Sequence, residues 1–176
     1  RVVNNALMET PDELTGYYTD ANQGNWFVNK YNIVVRGDLE GNRVLPLYFD
    51  LLLLFDFHGA VLTNREKQKL EERYLEKRKT RFGRAIDSRQ YDRIKHFAGY
   101  HKHLEQTGYK ARDAHNREDI EGKTKHIHLL RHNVQRSADY VTGLLQRDHL
   151  PQEHHGLFGE IQHALSELAT STLQTL

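Results

Sequence analysis

The sequence predicts a mainly α protein, a helical bundle with a small N-terminal β-hairpin or irregular segment. Two patterns predict this class. In the second half of the chain, apolar residues recur at spacings of three and four, as they do on the buried stripe of an amphipathic helix. Residues 26–36 instead place β formers at alternate positions, as strands do. The composition agrees: 38% hydrophobic and 28% charged residues, with a mean hydropathy of −0.78, suit exposed helices around a modest core.

A chain of 176 residues is most simply one domain. We expect residues 1–62 to form a mixed segment that packs on a helical bundle of residues 63–176. The first residue is Arg1 rather than Met, which is compatible with a piece of a larger protein. The chain has no cysteine. This excludes disulfides and thiolate metal sites, and it favours a reducing compartment, the cytoplasm.

Two elements are expected near the N-terminus. Thr10 and Pro11 predict the start of a short helix, because threonine caps helices and proline suits the first turn. Gly16 is expected to end that helix. Residues 26–36 predict a single strand, because the β-branched and aromatic residues alternate with others along it.

The next segment predicts a turn, a strand and a buried element. Residues 37–42 are rich in glycine, aspartate and asparagine, as turns are, and a partner strand follows from Arg43. The stretch 44–62 contains four consecutive leucines, and its periodicity does not distinguish a buried strand from a buried helix. Leucine and Pro46 favour the helix. The stretch is too short and too charged to span a membrane.

Four helices are expected after residue 62. Their predicted spans are about 64–81, 88–106 and 121–147, with a last helix after Pro151. Thr63 and Ser88 are the expected N-caps of the first two helices, and Gly83 and Gly108 mark their ends. The last two helices carry apolar stripes. These stripes are Ile127, Leu130, Val134, Ala138, Val141 and Leu145 in one helix, and Leu157, Ile161, Leu165 and Leu168 in the other.

Charge is distributed unevenly, although the formal net charge is only +1. Residues 1–63 carry four basic and eight acidic side chains, residues 64–95 carry twelve and six, and residues 96–176 carry nine and ten. The middle segment therefore has a net charge of +6, and it can attract phosphates or an acidic surface. The competing interpretation is a solvated helix whose charges pair with one another.

A dense cluster of basic residues lies at the C-terminal end of the first long helix. The nucleic-acid-binding candidates in this cluster are Lys77, Arg78, Lys79, Arg81, Phe82 and Arg84. Five positive charges can neutralise phosphates, and the Phe82 ring can stack on a base. The alternative is a solvated helix end, where basic side chains complement the helix dipole.

Eleven of the twelve histidines lie between His96 and His163. On a helical wheel of the second long helix, only His101 falls on the apolar face, whereas His96 and His103 point nearly the other way. We therefore expect His101 to be buried and neutral. Its protonation, near pH 6.5 for an unperturbed histidine, is expected to weaken packing.

His128 and His132 are the candidate metal ligands, because two histidines four residues apart on a helix can chelate one ion from the same face. With Gln135, this short run resembles the final motif of the DinB-like metal-dependent helical bundles. The resemblance implies that both histidines are ligands beside a third histidine from another helix. The two lie about 115° and 155° from the centre of the apolar stripe. The competing interpretation is therefore a pair of surface histidines.

Three classes of function remain open. The first is a non-enzymatic regulatory or protein-interaction domain that works through helical faces and residues 26–62. The second is a nucleic-acid-binding helical protein that uses the basic segment 65–95. The third is a metal-dependent enzyme of helical-bundle type that uses the histidine pair. The first is the leading hypothesis, so a protein partner is expected. The residues identify no cofactor and leave enzyme activity undecided.

Overall fold

The computed structural model describes residues 14–18, 26–36, 43–46, 51–52, 55, 62–83, 85, 87–147 and 150–171. In chain order its strands are β1 (Leu14–Tyr18), β2 (Trp26–Val28), β3 (Val34–Arg36) and β4 (Arg43–Pro46). Its helices are α1 (Asn64–Phe82), α2 (Ser88–Asn116), α3 (Ile120–Gln146) and α4 (His155–Ser171), and a 3-10 turn, Gln152–His154, precedes α4. The predicted mainly α class is confirmed. Among the described helices, none has the length and apolar character that a membrane span requires.

Residues 26–36 form a hairpin rather than the single predicted strand, because β2 and β3 pair with each other in antiparallel fashion. The Asn29 side chain accepts hydrogen bonds from the backbone N–H groups of Tyr31 and Ile33. Asn32 has a left-handed backbone, with φ of 57°. Asparagine is common in turns for both reasons: its side chain bonds to nearby backbone N–H groups, and it tolerates a left-handed backbone. The two asparagines were therefore the turn signal that the alternation of β formers obscured.

The prediction of a short helix that ends at Gly16 is wrong for the residues that the structure describes, because Gly16 lies within β1. β1 pairs with β4 in antiparallel fashion. β4 begins at Arg43 as predicted, but its partner is β1 rather than the 26–36 segment. Pairing between distant strands here overrides the local helix signal. Thr10, Pro11 and the predicted turn 37–42 lie outside the described residues.

Within the 44–62 stretch, residues 51, 52 and 55 agree with its helical interpretation, whereas residues 44–46 form part of β4 and residue 62 is not helical. Leu51, Leu52 and Phe55 are helical and buried. Pro46 is the last residue of β4 and not part of a first helical turn.

The ends of α1 follow from local chemistry. Thr63 accepts from the Glu66 backbone N–H, and the Glu66 side chain accepts in return from the Thr63 backbone N–H, which forms a complete capping box. At the other end Gly83 adopts a left-handed backbone with φ of 74° and donates its N–H to the Lys79 carbonyl oxygen. Both predicted signals are confirmed.

The second helix differs from its predicted bounds at both ends. The Asp87 side chain accepts from the Gln90 N–H, so Asp87 caps α2 and Ser88 is its first residue. The helix also passes through Gly108 and continues to Asn116. An isolated glycine costs a helix only about 1 kcal/mol relative to alanine, so Gly108 alone does not end it.

The chain divides into two compact units, Arg1–Lys95 and His96–Leu176. The boundary falls inside α2, and the single-domain organisation stays a prediction. In the second unit, the rest of α2 and α3 pack as an antiparallel hairpin. His103 contacts Asn133 in the middle of this hairpin, and Asp113 lies 3.8 Å from His126 near its tip.

The last helix of the second unit buries a face rotated from the predicted stripe. Phe158 and Leu165 are buried, whereas Leu157 and Leu168 are each about half exposed. The Phe158 ring packs against two rings of α2, with centroid distances of 6.2 Å to Phe97 and 6.1 Å to Tyr100. Aromatic packing, which the leucine spacing did not reveal, therefore orients α4.

Candidate nucleic-acid interface

The structure describes only part of the predicted basic cluster. Lys77 and Lys79 are exposed, and Arg78 is half-buried. The backbones of Arg81 and Phe82 form the last residues of α1, while their side chains and all of Arg84 lie outside the described structure. The stacking role of the Phe82 ring therefore stays a prediction.

A longer basic surface runs along the outer side of α1. It consists of Arg65, Lys69, Arg73 and Lys77, which we call the basic ridge, and all four side chains are exposed. Consecutive members are four residues apart, so they are neighbours on the helix surface and rise by about 6 Å per step. The ridge therefore presents four cations in a row over about 18 Å.

The basic ridge has no salt-bridge partner within the described residues. The alternative of a solvated helix with paired charges is therefore not supported by any salt bridge of the ridge, although Glu66 and Lys69 attract each other. Like charges at i, i+4 destabilise a helix by about 0.2–0.5 kcal/mol per pair. The ridge contains three such pairs, and within the described residues no salt bridge offsets them, although Glu66 attracts Lys69.

Two carboxylates that stand near the ridge in sequence are engaged elsewhere on α1. Glu66 accepts from the Thr63 backbone N–H at 2.8 Å and from its hydroxyl at 2.7 Å. Both bonds lower the pKa of Glu66, and the bond from the Thr63 hydroxyl has the larger effect. Glu72 accepts from the Gln68 amide at 2.9 Å. Both carboxylates thus have their hydrogen bonds with local partners, although the charge of Lys69 also lowers the pKa of Glu66 to a smaller extent.

The inner side of α1 is tied to the start of α2 through one carboxylate. Glu71 accepts from the Tyr91 hydroxyl at 2.9 Å, and both of its oxygens accept from the Lys95 ammonium, at 2.9 and 3.0 Å. Burial, and then the charge of Glu71, raise the pKa of Tyr91, so its hydroxyl stays protonated as the donor. This three-residue cluster orients α1 so that the basic ridge faces away from α2.

A cavity of about 470 Å³ adjoins this cluster within the first unit. Its lining combines charged, polar and apolar groups. The residues are Glu71, Leu75, Glu76, Lys79, Ala85, Ser88, Tyr91, Asp92 and Lys95. The volume is within the range of about 300–1,000 Å³ that is typical of small-ligand sites.

The histidines of α2 that are buried are not the one that was predicted to be buried. His103 is completely buried and His96 is 8% exposed, although the helical wheel placed both away from the core. His101 is only half-buried. Burial, opposed by the charge of Glu105, still lowers the pKa of His101. The predicted direction for His101 is therefore supported, whereas its predicted position as the one buried histidine of α2 is wrong.

Polar partners on α3 explain the burial of His103. The Asn133 amide donates from Nδ2 to the Leu129 carbonyl oxygen at 2.9 Å, so its Oδ1 faces His103 as the acceptor. The His103 Nδ1–H donates to that oxygen at 2.9 Å. The His103 ring also stacks on Tyr140, with centroids 5.7 Å apart. A hydrogen-bonded imidazole can be buried at little cost.

Glycines allow the close approach of α2 and α3. A Cβ at Gly99 would overlap the Tyr140 ring, and a Cβ at Gly143 would overlap the His96 ring. A glycine on each helix facing an aromatic ring on the other was the available signal for this contact. The wheel, which ranks positions by hydropathy, counts glycine as neutral and did not reveal it.

The candidate metal ligands lie on the surface of α3. His128 and His132 are both exposed. The His132 ring meets the His103 ring edge-on, with centroids 6.1 Å apart, so one histidine of another helix is near the pair. Across the described residues, no group of three or more histidine, aspartate or glutamate side chains is arranged to hold a metal ion. Metal binding by this pair stays a prediction.

No protein family, curated protein or solved structure matches this chain. The basic segment 65–95 was predicted, with its candidate residues at the C-terminal cluster. The four-residue repeat from Arg65 to Lys77 is visible in the sequence but was not among the predicted site residues.

Proposed function

We propose that this chain is a non-enzymatic interaction domain whose partner is a nucleic acid, bound through its phosphates along the basic ridge of α1. The absence of cysteine supports the cytoplasm as the place where it works. The observation that carries the proposal is the row of four exposed cations without a salt bridge. Such a row slightly destabilises the helix alone, and contact with an anionic partner offsets that cost.

The dimensions of the ridge suit a polyphosphate chain. Its length of about 18 Å corresponds to about five phosphates of one strand at about 3.4 Å of helix axis each. A protein partner with a single acidic group would neutralise only one or two of the four cations. Regularly spaced negative charge is the property of a nucleic acid backbone, so this partner class complements the whole ridge.

Salt dependence of binding tests the proposal. Four phosphate contacts give a slope of log K against log salt of about −3.6 for duplex and about −2.8 for single strands. Affinity is then expected to fall about 50- to 150-fold between 50 and 200 mM salt. Replacing the ridge as Arg65→Gln, Lys69→Gln, Arg73→Gln and Lys77→Gln is expected to remove most of the affinity and to flatten this slope. Fluorescence anisotropy of labelled oligonucleotides measures both quantities.

A matched control separates the ridge from net charge. The control variant carries the same loss of four positive charges, at exposed positions of α2, α3 and the loop between them: Arg112→Gln, Arg117→Gln, Lys123→Gln and Lys125→Gln. It is expected to keep most of the affinity. Equal losses in both variants would mean that only overall charge matters. If the native chain does not bind oligonucleotides even at low salt, the proposal is wrong, and an acidic protein becomes the better partner hypothesis for the ridge.

A further inference from the structure

We propose that the cavity beside Glu71 and Tyr91 takes one unpaired base of a single-stranded nucleic acid, and that this base is guanine. The inference rests on the proposed function, because the basic ridge supplies the backbone contacts that bring a base to the cavity. It adds a strand type and a base preference, neither of which follows from phosphate binding alone.

The cavity adjoins the basic ridge through Glu76. Glu76 lies three residues after Arg73 and seven after Lys69, so it neighbours both on the surface of α1. It also lines the cavity. A strand whose phosphates follow the ridge from Arg65 to Arg73 therefore reaches the mouth of the cavity at Glu76. A duplex cannot place a base there, because its bases are paired and stacked inside the helix.

The charged groups of the cavity are not equally available to a ligand. Glu71 already accepts from Tyr91 and from Lys95. Glu76 and Lys79, by contrast, are exposed and form no salt bridge within the described residues. These two lie three residues apart on α1 and so form one edge of the cavity. That edge offers the two oxygens of the Glu76 carboxylate as acceptors beside the Lys79 ammonium as a donor.

Guanine matches this edge better than the other bases. Its Watson–Crick edge carries two adjacent donors, N1–H and the N2 amino group, beside the O6 acceptor. A carboxylate can accept from both donors, and an ammonium can donate to O6. Adenine, cytosine, thymine and uracil each lack two adjacent donors on this edge. Leu75 and Ala85 supply apolar walls for the faces of the ring.

The test compares single-stranded thymidine 12-mers that contain one central guanine, adenine or cytosine with the all-thymidine 12-mer, by fluorescence anisotropy at low salt. The guanine oligomer is expected to bind at least about fivefold more tightly than the others, the lower limit for a two-bond base contact. A duplex of the same length is expected to show no preference for guanine. Glu76→Gln is expected to abolish the preference, while the affinity for all-thymidine rises, because a negative charge beside Lys69 and Arg73 is lost.

Glu72→Gln is the matched control, because it removes the same charge from an exposed position of α1 outside the cavity lining. It is expected to keep the preference for guanine. Binding of all oligomers without base preference, or loss of the preference in both variants alike, would overturn the guanine site while the proposed function stands. Failure of every oligomer to bind would overturn both.

Discussion

Gly99→Ala tests the close approach of α2 and α3 within the second unit. A Cβ at Gly99 would overlap three carbons of the Tyr140 ring. The ring has little room to move, because His103 stacks on its face at 5.7 Å and His96 meets its edge at 5.9 Å between centroids. Arg136 lies over the ring as well, 5.0 Å from its centroid. The added methyl group must therefore displace a packed cluster rather than a single side chain.

Two effects of opposite sign determine the magnitude. Alanine is favoured over glycine inside a helix by about 1 kcal/mol. Overpacking of a well-packed core costs about 1–3 kcal/mol. The free energy of unfolding of Gly99→Ala is therefore expected to lie between that of the native chain and about 2 kcal/mol below it.

Gly108→Ala isolates the steric cost. Gly108 lies on the same helix, and a Cβ there meets no atom within 4 Å. This variant should gain about 1 kcal/mol from helix propensity alone. The difference between the two variants then equals the overpacking cost of about 1–3 kcal/mol.

Urea denaturation followed by far-ultraviolet circular dichroism gives both free energies. A third variant, Gly99→Ala combined with Tyr140→Ala, is expected to show no penalty for the methyl group relative to Tyr140→Ala alone, because the ring it would meet is gone. If Gly99→Ala is as stable as Gly108→Ala, the described approach of the two helices is wrong.

Three further predictions concern hydrogen bonds and protonation. The pKa of His101 is lowered in the folded state, so the unfolded state binds more protons below about pH 6.5. The stabilising effect of neutral His101 is therefore present above that pH. It is lost as the pH falls through the lowered pKa. Thermal melts between about pH 7.5 and 5.5 should show a smaller loss of Tm in His101→Gln than in the native chain, whereas the exposed control His115→Gln should lose as much as the native chain; identical losses in all three would refute the effect. Thr63→Ala removes the capping box and should destabilise the chain by about 0.5–2 kcal/mol, which urea denaturation measures, and no change would mean that the cap does not form. Asn133→Leu leaves the buried His103 Nδ1–H without an acceptor and should cost about 1–3 kcal/mol. In a His103→Leu background the same substitution should cost less, and equal costs in both backgrounds would contradict the hydrogen bond.

The sequence predicted the long helices well, because their signals are local. Thr63 and Gly83 mark the ends of α1, and the predicted span of α3, about 121–147, is close to the observed Ile120–Gln146. The weaker predictions concerned elements that depend on distant partners. Leu14–Tyr18 is a strand only because β4 pairs with it. Gly108 was predicted to mark the end of α2, but the helix continues to Asn116.

The candidate site was predicted in outline rather than in detail. The excess of positive charge in residues 64–95 is a property of composition, and the sequence revealed it directly. Whether those charges are paired depends on side-chain geometry, so the sequence alone left the solvated, paired helix open. The cavity beside Tyr91 requires α1 and α2 to be placed against each other, and no local pattern contains that information. The same holds for His103, whose burial depends on an amide supplied by another helix.

The hydrogen bond between His103 and Asn133 has a consequence for the alignment of the two helices along their axes. A slip of α2 along α3 by one turn would shift the pair by about 5.4 Å. Two buried polar groups would then lack their partners, at a cost of about 1–3 kcal/mol each. The burial of small aliphatic residues such as Ala138 and Val141 discriminates less, because one such side chain can replace another at modest cost. The polar pair thus favours the same register of the hairpin as the contacts of Gly99 with Tyr140 and of Gly143 with His96.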